Sequence, residues 1–394
     1  MTASIWGLSG GWVTAGGTVG VTQALAVGVA AGGICWIILA ILLKTGWAWD
    51  IATDVPNHRS LHTRPTPRVG GLGLLPACLC VGAVLAPSFR LAATVALGLV
   101  LMSQIDDRRG LPARVRFAAH LLSALVLVGV SGSLGSGRSA IAAVATALDV
   151  QNSGFLAMMI MGFVVIAFVW TMNLYNFMDG MDGLAGGMAA IGFSIYAVAA
   201  FFAMHNAVQT DGATDQLLAL RDVALASSAI AGAAVGFLLW NAPPAKLFLG
   251  DAGSVPLGFL AAALGWLGWT HGAWSAAFPF LVFAPFATDA TVTLLRRLFR
   301  GERFWEAHRE HYYQRMVRMG WSRRGVLLIW YGMMLFAGAC ALVYQIVATS
   351  YKGPGWDVPL CRALAIALCF FGLAGLGVVI DRRWAQYARA SATR

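Results

Sequence analysis

Apolar residues run along the chain in eleven long blocks, and the polar residues gather between them. The blocks cover residues 24–45, 70–88, 91–105, 117–131, 155–175, 183–204, 223–240, 253–270, 276–296, 325–347 and 361–380. A spanning helix needs about 20 mostly apolar residues. The third and fourth blocks are shorter and must borrow flanking residues to cross. The pattern predicts an all-α, polytopic membrane helix bundle with eleven spans, built as one transmembrane unit over residues 1–394. Residues 132–154 and 205–222 read as polar loops with little motif content. No internal repeat and no soluble domain is visible. Segment 1–23 is Gly-rich and has no Lys or Arg before the first block. It makes a poor signal peptide, because the basic leading region is missing.

Composition agrees with the pattern. Apolar residues make up 59% of the chain and charged residues 11%, whereas soluble domains carry about 25% charged residues. The net charge of +10 does not call for nucleic acid here. Basic loops on the cytoplasmic side of a membrane protein give the same excess. Of the 27 Lys and Arg residues, only Arg90, Arg138, Arg221, Lys352 and Arg362 fall away from one side. That side holds loops 46–69, 106–116, 241–252 and 297–324, their flanks and the tail 381–394. It is therefore expected in the cytoplasm, with the N-terminus outside and an odd number of spans. The six cysteines lie in or beside apolar runs without metal-ligand spacing, so they read as small packing residues.

The polar motifs all fall on the basic side. Asp106-Asp107 follows the third block and precedes Arg108-Arg109-Gly110. Adjacent carboxylates repel unless a cation or proton intervenes. They read either as solvated charges at a helix end or as a pair that works with a metal or as a base. The segment from Asn173 to Leu184 places Asn173, Asn176 and Asp179 at intervals of three, near one helix face. Its two Asp-Gly steps, at Asp179 and Asp182, allow a turn and close backbone approach to a ligand. Oxygen donors of this kind suit Mg²⁺, which keeps several waters and shares substrate phosphates.

Three further segments join them. Gly250-Asp251-Ala252-Gly253-Ser254 opens the eighth block, where Asp251 reads as a helix N-cap or as a second carboxylate for the same metal. The loop from Arg296 to Arg324 has nine Arg, with His308 and His311 spaced for one helix face. No Cys or third His joins the pair to make a zinc site. Arg and His near carboxylates and a metal suit a pyrophosphate, and plain positive-inside charge is the bland reading. Asp54, His58, Arg59, Ser60, His62, Arg64 and Arg68 sit among prolines in a stiff cationic loop before Gly70-Gly71. It suits an anionic headgroup at the membrane surface or is a surface loop alone. Asp289 lies inside the ninth block after Pro285, and a carboxylate at such a place faces a bundle interior or a polar site.

The order of these motifs resembles the polyprenyl-phosphate N-acetylhexosamine-1-phosphate transferases, a family that includes the phospho-MurNAc-pentapeptide transferase in its superfamily. The resemblance covers roughly residues 50–325 and is most specific in the Asn173–Leu184 segment. It implies a helical membrane enzyme of ten or eleven spans in the bacterial inner membrane with a cytoplasmic site. Such an enzyme moves a sugar-1-phosphate from a UDP-sugar to a lipid phosphate, usually undecaprenyl phosphate, and releases UMP. It further implies Mg²⁺ as cofactor, with Mn²⁺ as an alternative, held by Asn176 and Asp251. Asp106 and Asp107 would lie near the lipid phosphate, with Asp106 as base or, in a covalent scheme, nucleophile. Asp179 and Asp182 would shape the site around the nucleotide. His308 and His311, with Arg309 and Arg315, would contact the donor, and Asn173, His58, Arg59, Arg68 and Gly250 would complete the substrate contacts. The loop here reads His-Arg-Glu-His-Tyr-Tyr, less His-rich than in many members and closer to enzymes that initiate O-antigen.

Direct in-line attack is the expected mechanism. A phosphate with its second pKa near 6 is already largely dianionic at neutral pH, so strong base catalysis is hardly needed. The competing readings are the peptidoglycan enzyme within the superfamily, a secondary transporter, and a lipid phosphatase or flippase. Transporters place charges near the midplane and often show repeats, which this chain does not. A homodimer is compatible with such a bundle, and no residue singles one out.

Overall fold

A computed structural model describes residues 20–56, 64–134, 154–209, 214–303, 308–350 and 357–392. Helices account for nearly all of them. In chain order they are α1 (Val21–Thr45), α2 (Trp47–Ile51), α3 (Gly70–Leu85), α4 (Arg90–Arg109), α5 (Ala113–Leu134), α6 (Gly154–Met178) and α7 (Leu184–Gln209). Then come α8 (Thr214–Asn241), α9 (Asp251–Thr270), α10 (Ala277–Val282), α11 (Ala284–Phe299), α12 (Tyr312–Arg318), α13 (Arg323–Ser350) and α14 (Asp357–Ala392). Two short strands, β1 (Thr53–Asp54) and β2 (Thr66–Pro67), pair antiparallel before α3. The chain is an all-α polytopic membrane protein.

All eleven apolar blocks are helical, but not all as single spans. Among the described residues, nine helices are long and apolar enough to cross a bilayer. The second block forms the shorter α3 of 16 residues. The ninth is broken at Phe283 into α10 and α11, with Pro285 in the first turn of α11. A proline lacks the N–H that would continue the ladder, so it suits a new helix start. The expected polar loop 205–222 is mostly helix, because α7 runs on to Gln209 and α8 begins at Thr214. Apolar counting stops early wherever a helix carries polar residues past its apolar stretch.

The centre of the bundle is α8 and α9. Along α9 almost every side chain from Ala252 to Gly268 is buried. Helices α1, α3 and α7 pack on α8, while α4 and α6 pack on α9. The α1–α8 seam is a glycine contact. A Cβ on Gly32 would sit 2.7 Å from the Gly232 carbonyl oxygen, and one on Gly232 or Gly236 would overlap the Gly28 or Gly32 backbone. Lipid gives helices no hydrophobic drive to pair, so small residues that let backbones approach hold such seams. Cys35, Cys78, Cys340 and Cys369 are buried as expected of packing residues. Cys80 and Cys361 are instead exposed on the outer faces of their helices.

Candidate functional site

The site is assembled by a short backbone ladder. The Phe248 N–H donates to the Pro67 carbonyl at 2.7 Å, and the Gly70 and Gly71 N–H groups donate to the Phe248 and Leu249 carbonyls at 2.8 Å. The strip 66–71 is thereby fixed beside 247–250, and the Arg68 N–H is tied back to Ala52. Two glycines make this approach possible. A Cβ on Gly71 would overlap the Gly253 backbone. Gly250 sits at φ +75°, where only glycine is unstrained. A Cβ there would lie 3.3 Å from the Arg68 carbonyl oxygen and 3.6 Å from Asp107 Oδ2.

Gly250 is the N-cap of α9, and no side chain caps that terminus. Asp251 is the first helical residue, so its carboxylate is not used as the cap. It lies 3.6 Å from the Arg68 guanidinium. Asp107, in the last turn of α4, faces the Ala252 backbone N–H and stands within electrostatic reach of Asp251 and Arg68. Asp179 follows the last turn of α6 and approaches the Gly250 backbone. Burial above all pushes its carboxyl well above the ordinary carboxylate range; Arg68 pulls it back, and Asp251 and Asp107 push it further. Three carboxylates from α4, α6 and α9 thus share one guanidinium.

Asp106 points elsewhere than its neighbour. Its Oδ1 accepts the Leu111 N–H at 2.6 Å and its Oδ2 meets Arg116 at 3.4 Å. It closes the α4–α5 turn while Asp107 faces the cluster. Asp182 is likewise engaged, accepting the Ala245 N–H at 3.2 Å with Arg323 at 3.8 Å. Asn173 donates to the Val169 carbonyl of its own helix at 2.7 Å. Asn176 is half-buried one turn before Asp179, and its side chain makes no hydrogen bond to a described residue. His58 and Arg59 lie outside the described residues.

The Asp179–Gly183 turn is clamped from three sides. Asn241 Oδ1 accepts the Gly183 N–H at 2.8 Å while its Nδ2 donates to the Leu247 carbonyl at 2.9 Å. Tyr331 donates to the Gly183 carbonyl at 2.8 Å, and Tyr313 donates to the Phe177 carbonyl at 3.3 Å. Asn241 thereby locks the turn to the ladder. Its sequence neighbourhood gives no hint of this, since Gly183 lies 58 residues away.

The histidine loop is anchored by Asp289, 2% exposed on α11. Asp289 Oδ1 accepts the Tyr312 N–H at 2.9 Å and the Thr293 hydroxyl at 3.2 Å, with His311 Nδ1 at 3.2 Å; Oδ2 accepts the Tyr313 N–H at 3.4 Å. His308 and His311 do not share a helix face as their spacing suggested. The helix begins only at Tyr312, with His311 as its N-cap in a capping box with Gln314, so both histidines lie ahead of it. Their rings still meet, with centroids 4.9 Å apart, and the His311 ring stacks between Phe177 and Tyr313. Burial, then His311 and Arg297, lowers His308 to about 4. Its Nδ1 accepts the Glu310 N–H at 3.4 Å.

The arginines of this loop divide by partner. Arg315, 5% exposed, pairs with Asp381 of α14 at 3.0 Å and lies over the Tyr312 and Trp384 rings. Arg296 pairs with both Asp381 oxygens, at 2.7 and 2.6 Å. Arg297 holds Glu302 at 2.9 Å and Glu310 at 3.0 Å, and Arg300 also grips both. Glu310 stays below its ordinary range because these arginines outweigh the effect of burial. Arg309 lends its carbonyl to Arg318 at 3.1 Å. Arg315 therefore fastens the last helix to the loop rather than standing open beside His308. Asp381, the hub of this network, was masked in the sequence by its place in a basic tail.

The carboxylate cluster fits a hard cation. Asp107 Oδ2 is buried and makes no hydrogen bond to a described residue. Three acidic groups face one guanidinium, and their carboxylate oxygens are hard donors. Among the described residues, no three His, Cys, Asp or Glu side chains converge closely enough to hold a metal alone. That suits an ion which keeps waters and borrows substrate oxygens better than it suits an all-protein cage.

Residues 89–268 match glycosyl transferase family 4. The chain is 31% identical over 336 residues to a decaprenyl-phosphate N-acetylglucosaminephosphotransferase of Mycolicibacterium smegmatis, covering 76% of this chain and 79% of that one. It is 28% identical over 315 residues to a probable undecaprenyl-phosphate N-acetylglucosaminyl 1-phosphate transferase of Bacillus subtilis, covering 78% of this chain and 80% of that one. A phospho-N-acetylmuramoyl-pentapeptide-transferase of Frankia alni is 32% identical over 248 residues, a match to 57% of this chain and 69% of that one. With the motif order and the convergence of α4, α6 and α9 at one cluster, the chain belongs to the glycosyl transferase family 4 polyprenyl-phosphate sugar-1-phosphate transferases.

Proposed function

We propose that the protein transfers an N-acetylhexosamine-1-phosphate, or a 6-deoxy relative, from a UDP-sugar to undecaprenyl phosphate. The products are undecaprenyl-pyrophosphate-sugar and UMP, and the step initiates a cell-surface glycan in the bacterial inner membrane. One observation carries this reading above the others. Asp107, Asp179 and Asp251 share Arg68 at the ends of membrane helices, in a chain similar over three quarters of its length to a decaprenyl-phosphate N-acetylglucosaminephosphotransferase. The gathering of Lys and Arg on the loops that carry the site supports a cytoplasmic orientation.

An oxygen of the lipid phosphate attacks the sugar-bearing phosphorus in line, and the bond from that phosphorus to the bridging oxygen breaks. UMP leaves with the bridging oxygen and its electrons. Both reactants are anions, so the reaction is governed by positioning and charge. Asn176 and Asp251, with Asp107 beside them, would hold Mg²⁺, which would supply charge neutralisation at the pyrophosphate. Arg68, 3.6 Å from Asp251, would face the same oxygens. Asp179 shapes the pocket floor, and the His308–His311 loop contacts the donor. Asp106 holds the α4–α5 turn and so aims Asp107, a more indirect part than that of a base.

The test is UMP release by purified protein with undecaprenyl phosphate, Mg²⁺ and a panel of UDP-N-acetylhexosamines, including the MurNAc-pentapeptide donor. UMP that requires lipid and metal, and stops with EDTA, is the expected result. Folded protein that releases no UMP from any donor overturns the proposal.

A further inference from the structure

Beneath the carboxylate cluster lies a second set of buried polar groups, of which only Ser254 belongs to a motif. His120 on α5 is 5% exposed, and its Nδ1 is buried without a hydrogen bond to any described residue. Ser254 on α9 is fully buried and its hydroxyl is also without such a partner. Both side-chain amide atoms of Gln104 on α4 are buried in the same condition. Buried polar atoms are almost always satisfied in folded proteins, so several together mark bound water, an ion or a working site.

Their positions are ordered. Gln104 precedes Asp107 by three residues, and Ser254 follows Asp251 by three, so each lies on the same helix face as its carboxylate, one turn farther into the bilayer. His120 lies four residues beyond Arg116 on α5, again one turn deeper than a residue of the site. It is within electrostatic reach of Arg116, Asp251 and Asp106. Helices α4, α5 and α9 pack on one another. Three helices that pack on one another thus each carry a buried, unpaired polar side chain one turn below a charged residue of the site. An apolar membrane core would leave these groups costly unless they served each other through water.

We propose that His120 is a positioning residue for the transfer. With Gln104 and Ser254 it forms a hydrogen-bonding floor, bridged by water, that fixes the Asp107 and Asp251 carboxylates for cation and phosphate. His120 touches neither substrate. It acts through the carboxylates, as outer groups act on metal ligands. The inference rests on the proposed transferase reaction for its kinetic consequence and on cation binding for an independent one.

The test uses the full chain in detergent or nanodiscs, with His120→Leu and His120→Gln. Leucine fills the space without a polar atom, and glutamine restores a donor and an acceptor. In UMP release, His120→Leu is expected to lose kcat by about 10-fold or more, the range typical of outer-shell changes. Its KM for the UDP-sugar stays unchanged, and His120→Gln recovers most of the rate. Mn²⁺ binding, followed by electron paramagnetic resonance without substrate, weakens about 10-fold in His120→Leu and is restored in His120→Gln. Equal behaviour of the leucine and glutamine variants, or unchanged Mn²⁺ affinity in His120→Leu, overturns the proposal. Should His120→Leu fail to fold, Ser254→Ala removes one hydroxyl from the same floor and must reproduce the weakened Mn²⁺ binding. Wild-type protein that binds Mn²⁺ but releases no UMP defeats the transferase reading and leaves the positioning role to the binding arm.

Discussion

Replacing Asp289 by alanine is the most searching test of how the histidine loop is held. The carboxylate takes two main-chain N–H groups of α12, the His311 ring and the Thr293 hydroxyl, all in a pocket with almost no solvent. A hydrogen bond to a charged group contributes about 1.5–3 kcal/mol, and removing the acceptor leaves buried donors unpaired. Counting only the bonds at 2.9 Å to Tyr312 and 3.2 Å to His311, the loop loses roughly 3 kcal/mol of docking energy. That corresponds to about a 100-fold rise in the open population of the segment. Amide hydrogen exchange at Tyr312 to Arg318 reads this directly, because those amides exchange through local opening. KM for the UDP-sugar should rise with it, while Asp289→Asn keeps an acceptor for Tyr312 and falls between. Unchanged exchange at Tyr312 in a folded Asp289→Ala protein would refute this view of the anchor.

Three other outcomes are expected. Asp251→Ala abolishes UMP release and weakens Mn²⁺ binding, and substantial turnover at saturating Mg²⁺ would remove Asp251 from the cation site. Gly232→Ala drives a Cβ into the Gly28 backbone, an overpacking that costs about 1–3 kcal/mol; the thermal midpoint in detergent falls by several degrees while kcat of the folded fraction holds. The third concerns pH. His308 titrates near 4 when docked and near 6.5 when free, so the undocked loop binds more protons between those values. Docking is therefore complete above pH 6.5 and weakens as pH falls toward 4. Exchange at residues 308–318, corrected for intrinsic rates, should speed up over that window, and His308→Gln should lose this dependence.

Much of this architecture was legible in the sequence for a simple reason. Lipid demands long apolar helices, so the blocks mark them, and the polar motifs had to fall at their ends. The break at Phe283 was hidden because α10 and α11 together are as long and apolar as one span. The continuation of α7 and α8 was hidden because their polar ends resemble loops. Within the site, Arg68, Asp107, Asp179 and Asp251 were recognisable as chemistry by residue type. Their division of labour was not, since Asp106 and Asp107 are adjacent in sequence yet face a turn and a cluster respectively. Asn241, Tyr331 and Asp381 act through partners between 58 and 148 residues away, and no local pattern announces such contacts. The spacing of His308 and His311 misled because α12 begins only at Tyr312, where the distant Asp289 carboxylate holds the first amide.

The ladder between residues 66–71 and 247–250 has a consequence for recombination within the family. Arg68 and Asp251 face each other because two chain segments almost 180 residues apart share main-chain hydrogen bonds and a glycine-to-glycine contact. Neither segment carries its half of the geometry alone. A chimera that exchanges one of them with a relative inherits a mismatched seam, however well each loop suits its own parent. The two must travel as a pair, which makes them a single heritable unit despite their distance along the chain.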